Sequence, residues 1–153
     1  MYLFFKLLHI VAVVAFLGNI TVGVFWKNFA DRTKDASIIA YTMDGIIRAD
    51  RIFTIPGVIL IVIGGVGTAI VGGIPFFSTG WVLWGIILFV LAGIAFGPLA
   101  GVQRQLLAAA KKGDMAAYWT LSKKWDLYGA IALVAPLLAL GIMVLKPALP
   151  AFH

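Results

Sequence analysis

The hydrophobic positions of this chain fall in long blocks rather than in alternation. Residues 7–26 form one apolar run in which His9 and Asn19 are the strongly polar members. Residues 52–103 contain no charged side chain. A helix crosses the hydrocarbon core of a bilayer with about 20 apolar residues. The first run therefore predicts one spanning helix, and the second is too long for one and must fold back once. Gly72-Gly73-Ile74-Pro75 and Ser78-Thr79-Gly80 supply the turn, because Gly and Pro stop helices. A last apolar block ends at Lys146-Pro147. Barrel strands would alternate apolar and polar residues in segments of about ten, and these runs do not. The pattern predicts an all-α membrane protein, a four-transmembrane-helix bundle in one domain over residues 1–153. Its helices should cover about 3–29, 37–72, 81–111 and 115–146.

Local signals refine the ends. Asp35 is placed to cap the helix that runs into the second span, and Asp114, after Gly113, the helix that runs into the fourth. The first run is longer than the 7–15 residues or so of a signal-peptide core. Gly18-Asn19-Ile20 does not read as a cleavage site, so this segment is expected to stay as the first span.

Composition agrees with the pattern. The chain is 63% apolar and 12% charged, against roughly 45–50% and about 25% for an average soluble domain. That excludes an ordinary soluble domain and a disordered chain. Twelve Lys and Arg face six acids, a net charge of +6, and every acid is an aspartate. In so apolar a chain this balance points to anionic lipid headgroups and not to nucleic acid. Lys27, Arg32, Lys34, Arg48 and Arg51 crowd the first loop region; Arg104, Lys111, Lys112, Lys123 and Lys124 crowd the third; the middle loop has none. Positive loops stay in the cytoplasm, which predicts an N-out/C-out topology in a plasma membrane of bacterial type. There is no cysteine, so disulfides, thiolate metal sites and iron–sulfur ligation are excluded.

Little of the sequence carries chemistry. An ionisable residue within a span is a functional-site candidate, and His9 is one. On a helix, Lys6, His9, Val13, Phe16, Ile20 and Lys27 share a side. His9 reads either as a histidine satisfied by a neighbouring helix or as a haem-iron ligand. Met143 lies at a matching depth in the fourth span and is a candidate second ligand, since methionine serves as an axial haem ligand; otherwise it is core packing. The other histidine, His153, is expected to be exposed. Gly93, Gly97 and Gly101 recur four apart in the third span, a spacing that lets helices approach closely, here inside the bundle or across a dimer face. The second span offers Gly57, Gly64 and Thr68, and the pair Gly65 and Ala69. Asp50, Arg51, Arg104 and Asp126 share a predicted depth at the inner face and are expected to form ion pairs; Asp44 and Arg48 are spaced to pair at i,i+4. Trp26, Trp81, Trp84, Trp119 and Trp125 lie near span ends and read as interface anchors.

Four short motifs carry a resemblance. They are Lys6-x-x-His9-Ile10, Arg51-x-x-Thr54-x-Pro56-Gly57, Gly80-Trp81 and Met143-x-x-Lys146-Pro147. On these the chain resembles the integral membrane proteins called domain of unknown function 2269. More distantly it is similar to HemJ-type protoporphyrinogen oxidases and the membrane domain of copper-resistance protein CopD. The HemJ resemblance implies haem b, with His9 as the first-span ligand. Those oxidases also use a histidine and a lysine after Gly-Trp in the third span; here the aligned positions are Leu83 and Gly85. That departure argues against porphyrinogen oxidation and against an enzyme.

Three functional classes follow. The first is a haem b protein handling electrons through His9, with Met143 as second ligand. The second is a cofactor-free structural or assembly subunit, docking to a second copy or a membrane partner through its glycine-rich helices. The third, small-solute or metal-ion transport, ranks last because polar groups at mid-membrane are few.

Overall fold

The computed structural model describes residues 1–152; His153 lies outside the described residues. The helices are α1 (Tyr2–Asp31), α2 (Ala36–Ala49), α3 (Ile55–Val71), α4 (Gly80–Lys112) and α5 (Met115–Leu145). A π-helical turn, Asp50–Thr54, joins α2 to α3 as one continuous rod, Ala36–Val71. The result is four helices long and apolar enough to cross a membrane. The N-terminus, the last described residues up to Phe152 and the 72–79 turn lie at one end, here the terminal end. The two tight turns at 32–35 and 113–114 lie at the other, the charged end.

The local rules explain the ends. Asp35 accepts from the amides of Ser37 and Ile38 and so caps α2. The Ser37 hydroxyl bond, then the backbone bonds, holds the Asp35 carboxyl below its ordinary range. Asp114 caps α5 through the amide of Ala117. Gly113, at φ +72°, closes α4 in a left-handed conformation open to glycine. Pro56 has no amide hydrogen to return to the preceding turn. Just before it, the Ile55 amide reaches back five residues to the Asp50 carbonyl, the wider π register.

Packing is uneven. α4 lies along α5 and α1 along α3, whereas α1 meets α5 over a much shorter length. The α1–α3 seam is made by glycines of α3: Gly57 receives Phe16, Gly64 the backbone of His9, and Gly67 the ring of Phe5. Small residues let membrane helices close to this distance, where dispersion rather than hydrophobic transfer holds them. α4 uses a different stripe. Ala92, Ala95, Leu99, Val102, Leu106 and Ala109 are among its buried residues. Gly93, Gly97 and Gly101 sit beside that stripe on the outward side, and a Cβ added at any of them meets nothing within 4 Å. The expectation that these three glycines pack inside the bundle is corrected: the alanine stripe fills that position instead.

The largest core cluster is at the charged half and includes Ile39, Met43, Leu106, Tyr118 and Trp125. A smaller one of Ala12, Phe16, Leu17 and Ile61 follows toward the terminal end.

Candidate functional site

Three places hold side chains that could carry chemistry. The first is a set of buried polar side chains at the charged half, in two parts with Trp125 beside both. Lys27 of α1 is 1% exposed. Its Nζ donates to Asp31 at 2.7 Å, to the Ser122 hydroxyl, and to Asp126 at 3.3 Å. The Tyr118 hydroxyl donates to the other Asp31 oxygen. Asp126 keeps 58% of its side chain exposed, so this chain of contacts reaches the surface. Lys27 Nζ also stands 4.9 Å above the ring of Trp125, a cation–π distance.

Beyond Trp125 lies the second part. Asp50, 8% exposed, is the first residue of the π turn. Its Oδ1 accepts from Asn19 at 2.9 Å and from the Thr54 hydroxyl at 2.8 Å; its Oδ2 accepts from Gln103 at 3.0 Å. Asn19 comes from α1 and Gln103 from α4, so the carboxylate ties three helices together. Toward the terminal end this network is followed by the apolar Phe16 cluster.

The expected inner-face ion-pair cluster is therefore not assembled. Among the described residues, Asp50 meets no Lys or Arg, Arg51 and Arg104 enter no ion pair, and Asp126 pairs with Lys27 instead. The reason is direction. Arg51 and Arg104 are exposed, turned away from the interior that Asp50 faces. Arg48 Nε does donate to Asp44 at 2.8 Å, on an exposed flank of α2. Trp125 is also not an interface anchor: at 3% exposure it is core.

The second place is His9. Its ring rests on α3 beside Gly65, and Nδ1 lies 2.8 Å from the Ile61 carbonyl. A carbonyl can only accept, so Nδ1 carries the proton. No hydrogen bond reaches Nε2 among the described residues. Backbone orientation of this kind is what a metal-ligating histidine uses to fix its tautomer. It is also a complete interhelical hydrogen bond in its own right.

The third place is the cleft left where α1 and α5 part, about 710 Å³. Ile10, Val14 and Leu17 form one wall, and Leu140, Met143 and Val144 the other. Lys6 and Lys146 stand at its terminal end. They lean over Tyr2 and Trp81, at 5.9 and 5.0 Å from the ring centroids. All six aspartates lie in residues 31–126, in or near the charged half, so no aspartate pairs with these lysines. His9 does not line this cleft. The Met143 methyl is seated against Gly85 of α4. His9 and Met143 are thus not brought together on one space, because one turns to α3 and the other to α4. Among the described residues no group of three His, Cys, Asp or Glu is arranged to hold a metal ion.

Sequence reasoning missed Lys27, Tyr118, Ser122 and Gln103 as a set. The Lys27–Asp31 spacing of four was a usable signal; the contacts to α4 and α5, 53 to 99 residues away, were not.

Four apolar rods with buried polar side chains define a small multi-pass membrane protein. The chain belongs to the family described as "Predicted integral membrane protein (DUF2269)", whose model matches residues 3–147. No curated protein and no solved structure matches it. The family match by itself carries no tie to HemJ-type oxidases or to CopD.

Proposed function

We propose that this protein is a membrane-embedded binding protein for an anionic amphiphile of phospholipid chemistry, held in the α1–α5 cleft. The observation that supports it is the pairing of an apolar cleft with Lys6 and Lys146 at its end, far from any aspartate. Its volume is within the roughly 300–1,000 Å³ of ordinary ligand pockets. Apolar contact alone gives no selectivity inside a bilayer, since lipid tails are as apolar as leucine. Discrimination must come from charge, which the two lysines supply at the level of the headgroups. With the charged end taken as cytoplasmic by the positive-inside rule, the lysines sit in the outer leaflet of a plasma membrane. The apolar cluster beyond Asp50 weighs against the transport reading.

The test is lipid selectivity in nanodiscs, read by electron paramagnetic resonance. Spin-labelled phosphatidylglycerol should be held in the motionally restricted fraction several-fold more than phosphatidylcholine. The Lys6→Gln/Lys146→Gln variant should lose that preference. Equal restriction of the two lipids by the wild-type protein removes the reading.

A second reading is favoured by His9 Nε2, which no hydrogen bond reaches among the described residues: haem b on His9 alone, which would supply one-electron chemistry. A His9–Met143 axial pair does not fit the positions of the two side chains. The absorption spectrum of detergent-purified protein from haem-replete cells decides it. The haem reading expects a Soret band that sharpens on reduction, persists in Met143→Leu and disappears in His9→Ala. A flat visible spectrum ends it and leaves His9 as an interhelical strut.

A further inference from the structure

Two of the short motifs in the sequence, Gly80-Trp81 and Met143-x-x-Lys146-Pro147, meet at the terminal end of the fold. Lys146 ends α5 in the left-handed region, at φ +47°. That conformation is costly for an L side chain, and glycine is the usual residue there. Pro147 adds to the cost, because the residue before a proline favours extended backbone. Local preferences thus point away from the observed geometry. Strain of this kind persists only where the surrounding structure over-determines it. The next six residues supply that constraint. The carbonyl of Leu149 is packed against Gly80, where an added Cβ would collide with its oxygen. The Trp84 indole N–H donates to the Pro150 carbonyl at 3.1 Å, and the Phe152 amide to the Phe77 carbonyl at 3.1 Å. All three contacts fall on the start of α4 and the turn before it.

We propose that residues 147–152 form a strap that positions Lys146 for an anionic headgroup, with Gly80 and Trp84 as its anchor points. This rests on the lipid-binding reading of the α1–α5 cleft. Trp81 follows Gly80 directly, and the Lys146 ammonium stands 5.0 Å from the centroid of its ring. The strap therefore ties the end of α5 to the first turn of α4. It brings cation and indole together at the end of the cleft that Lys146 lines. Lys6 is placed differently: it leans over Tyr2 of its own helix.

With the strap released, the backbone at Lys146 returns to the extended conformation that Pro147 favours, and the ammonium leaves Trp81. The apolar walls of the cleft, Ile10 and Val14 on one side and Leu140 and Met143 on the other, lie within α1 and α5. Release should therefore leave lipid contact intact and remove the share of headgroup preference that Lys146 supplies. Gly80→Ala/Trp84→Phe releases the strap and keeps both lysines. The first change sets a methyl against the Leu149 carbonyl, in a helix that alanine suits better than glycine. The second keeps an aromatic ring and deletes the N–H that Pro150 accepts.

Two measurements test this on the full chain in nanodiscs. The first does not depend on lipid selectivity. The methylene next to the Lys146 ammonium, held over an indole ring, should carry an upfield ring-current shift in the proton spectrum. Its signal is assigned by its absence from Lys146→Gln. Gly80→Ala/Trp84→Phe should abolish that shift while the Lys6 signal stays in place. Gly80→Ala alone takes its place if the double variant does not fold. A wild-type protein without the shift, or a folded variant that keeps it, overturns the proposal. The second measurement is the restricted fraction of spin-labelled phosphatidylglycerol against phosphatidylcholine. The strap variant should fall to the preference of Lys146→Gln, and adding Lys146→Gln to it should lower the preference no further. A selective wild-type protein beside an equally selective strap variant overturns the strap and leaves the cleft reading standing. Equal restriction of the two lipids by the wild-type protein ends both.

Discussion

Lys27→Met is expected to destabilise the protein by about 3–5 kcal/mol, the range for removing one partner of a buried ion pair. The size follows from what remains. Asp31 would keep its charge and its Tyr118 hydrogen bond but lose the ammonium 2.7 Å away. Ser122 would lose its donor, and the Trp125 ring its cation. The contact to Asp126 adds little, because that carboxylate is mostly solvated and screened. Removing the stranded charge as well, in Lys27→Met/Asp31→Asn, should recover part of the loss, since a side-chain amide in place of the carboxylate can still accept from Tyr118 through its carbonyl oxygen. Equilibrium unfolding in mild detergent measures both. A loss below about 1 kcal/mol for the single variant would show that the cluster behaves as a surface pair.

The second large effect is at Gly64. A Cβ placed there lies 2.7–2.9 Å from the backbone nitrogen, Cα and Cβ of His9. Those atoms belong to the neighbouring helix, so the clash is relieved only by moving α1 off α3. Gly64→Ala should therefore cost about 1–3 kcal/mol, the usual penalty for overpacking, and Gly64→Val more. The His9–Ile61 hydrogen bond, 2.8 Å in the native seam, should lengthen or break with it. Gly93→Ala is the control. Nothing lies within 4 Å of its added Cβ, and alanine is the better helix former by about 1 kcal/mol. That variant should be neutral or slightly stabilised. If Gly64→Ala unfolds no more easily than Gly93→Ala, the α1–α3 seam is not as close as described.

These two glycines show where sequence reasoning stops. Both lie in apolar helices at spacings that suit close packing, and no local property separates them. Gly64 faces α1 because the rod bearing α3 turns that side to it. Gly93 faces outward because α4 buries the adjacent alanine stripe against α5. The same holds for the aromatic residues. Trp26 and Trp125 both lie near span ends, yet Trp26 is exposed and Trp125 is core. It belongs to the large core cluster, under the ammonium of Lys27, nearly a hundred positions earlier in the chain.

What the sequence determined by itself was the number, length and limits of the helices. A bilayer admits only segments that satisfy their own backbone and are apolar over about 20 residues. That constraint acts locally, and Gly, Pro and Asp mark the ends by equally local rules. Tertiary structure alone decided which polar groups meet. Asp50 is held by Asn19 and Gln103, 31 and 53 residues distant, and not by the nearby arginines. A buried carboxylate takes the donors that the rotation of neighbouring helices aims at it, and that rotation is set by shape complementarity along whole seams.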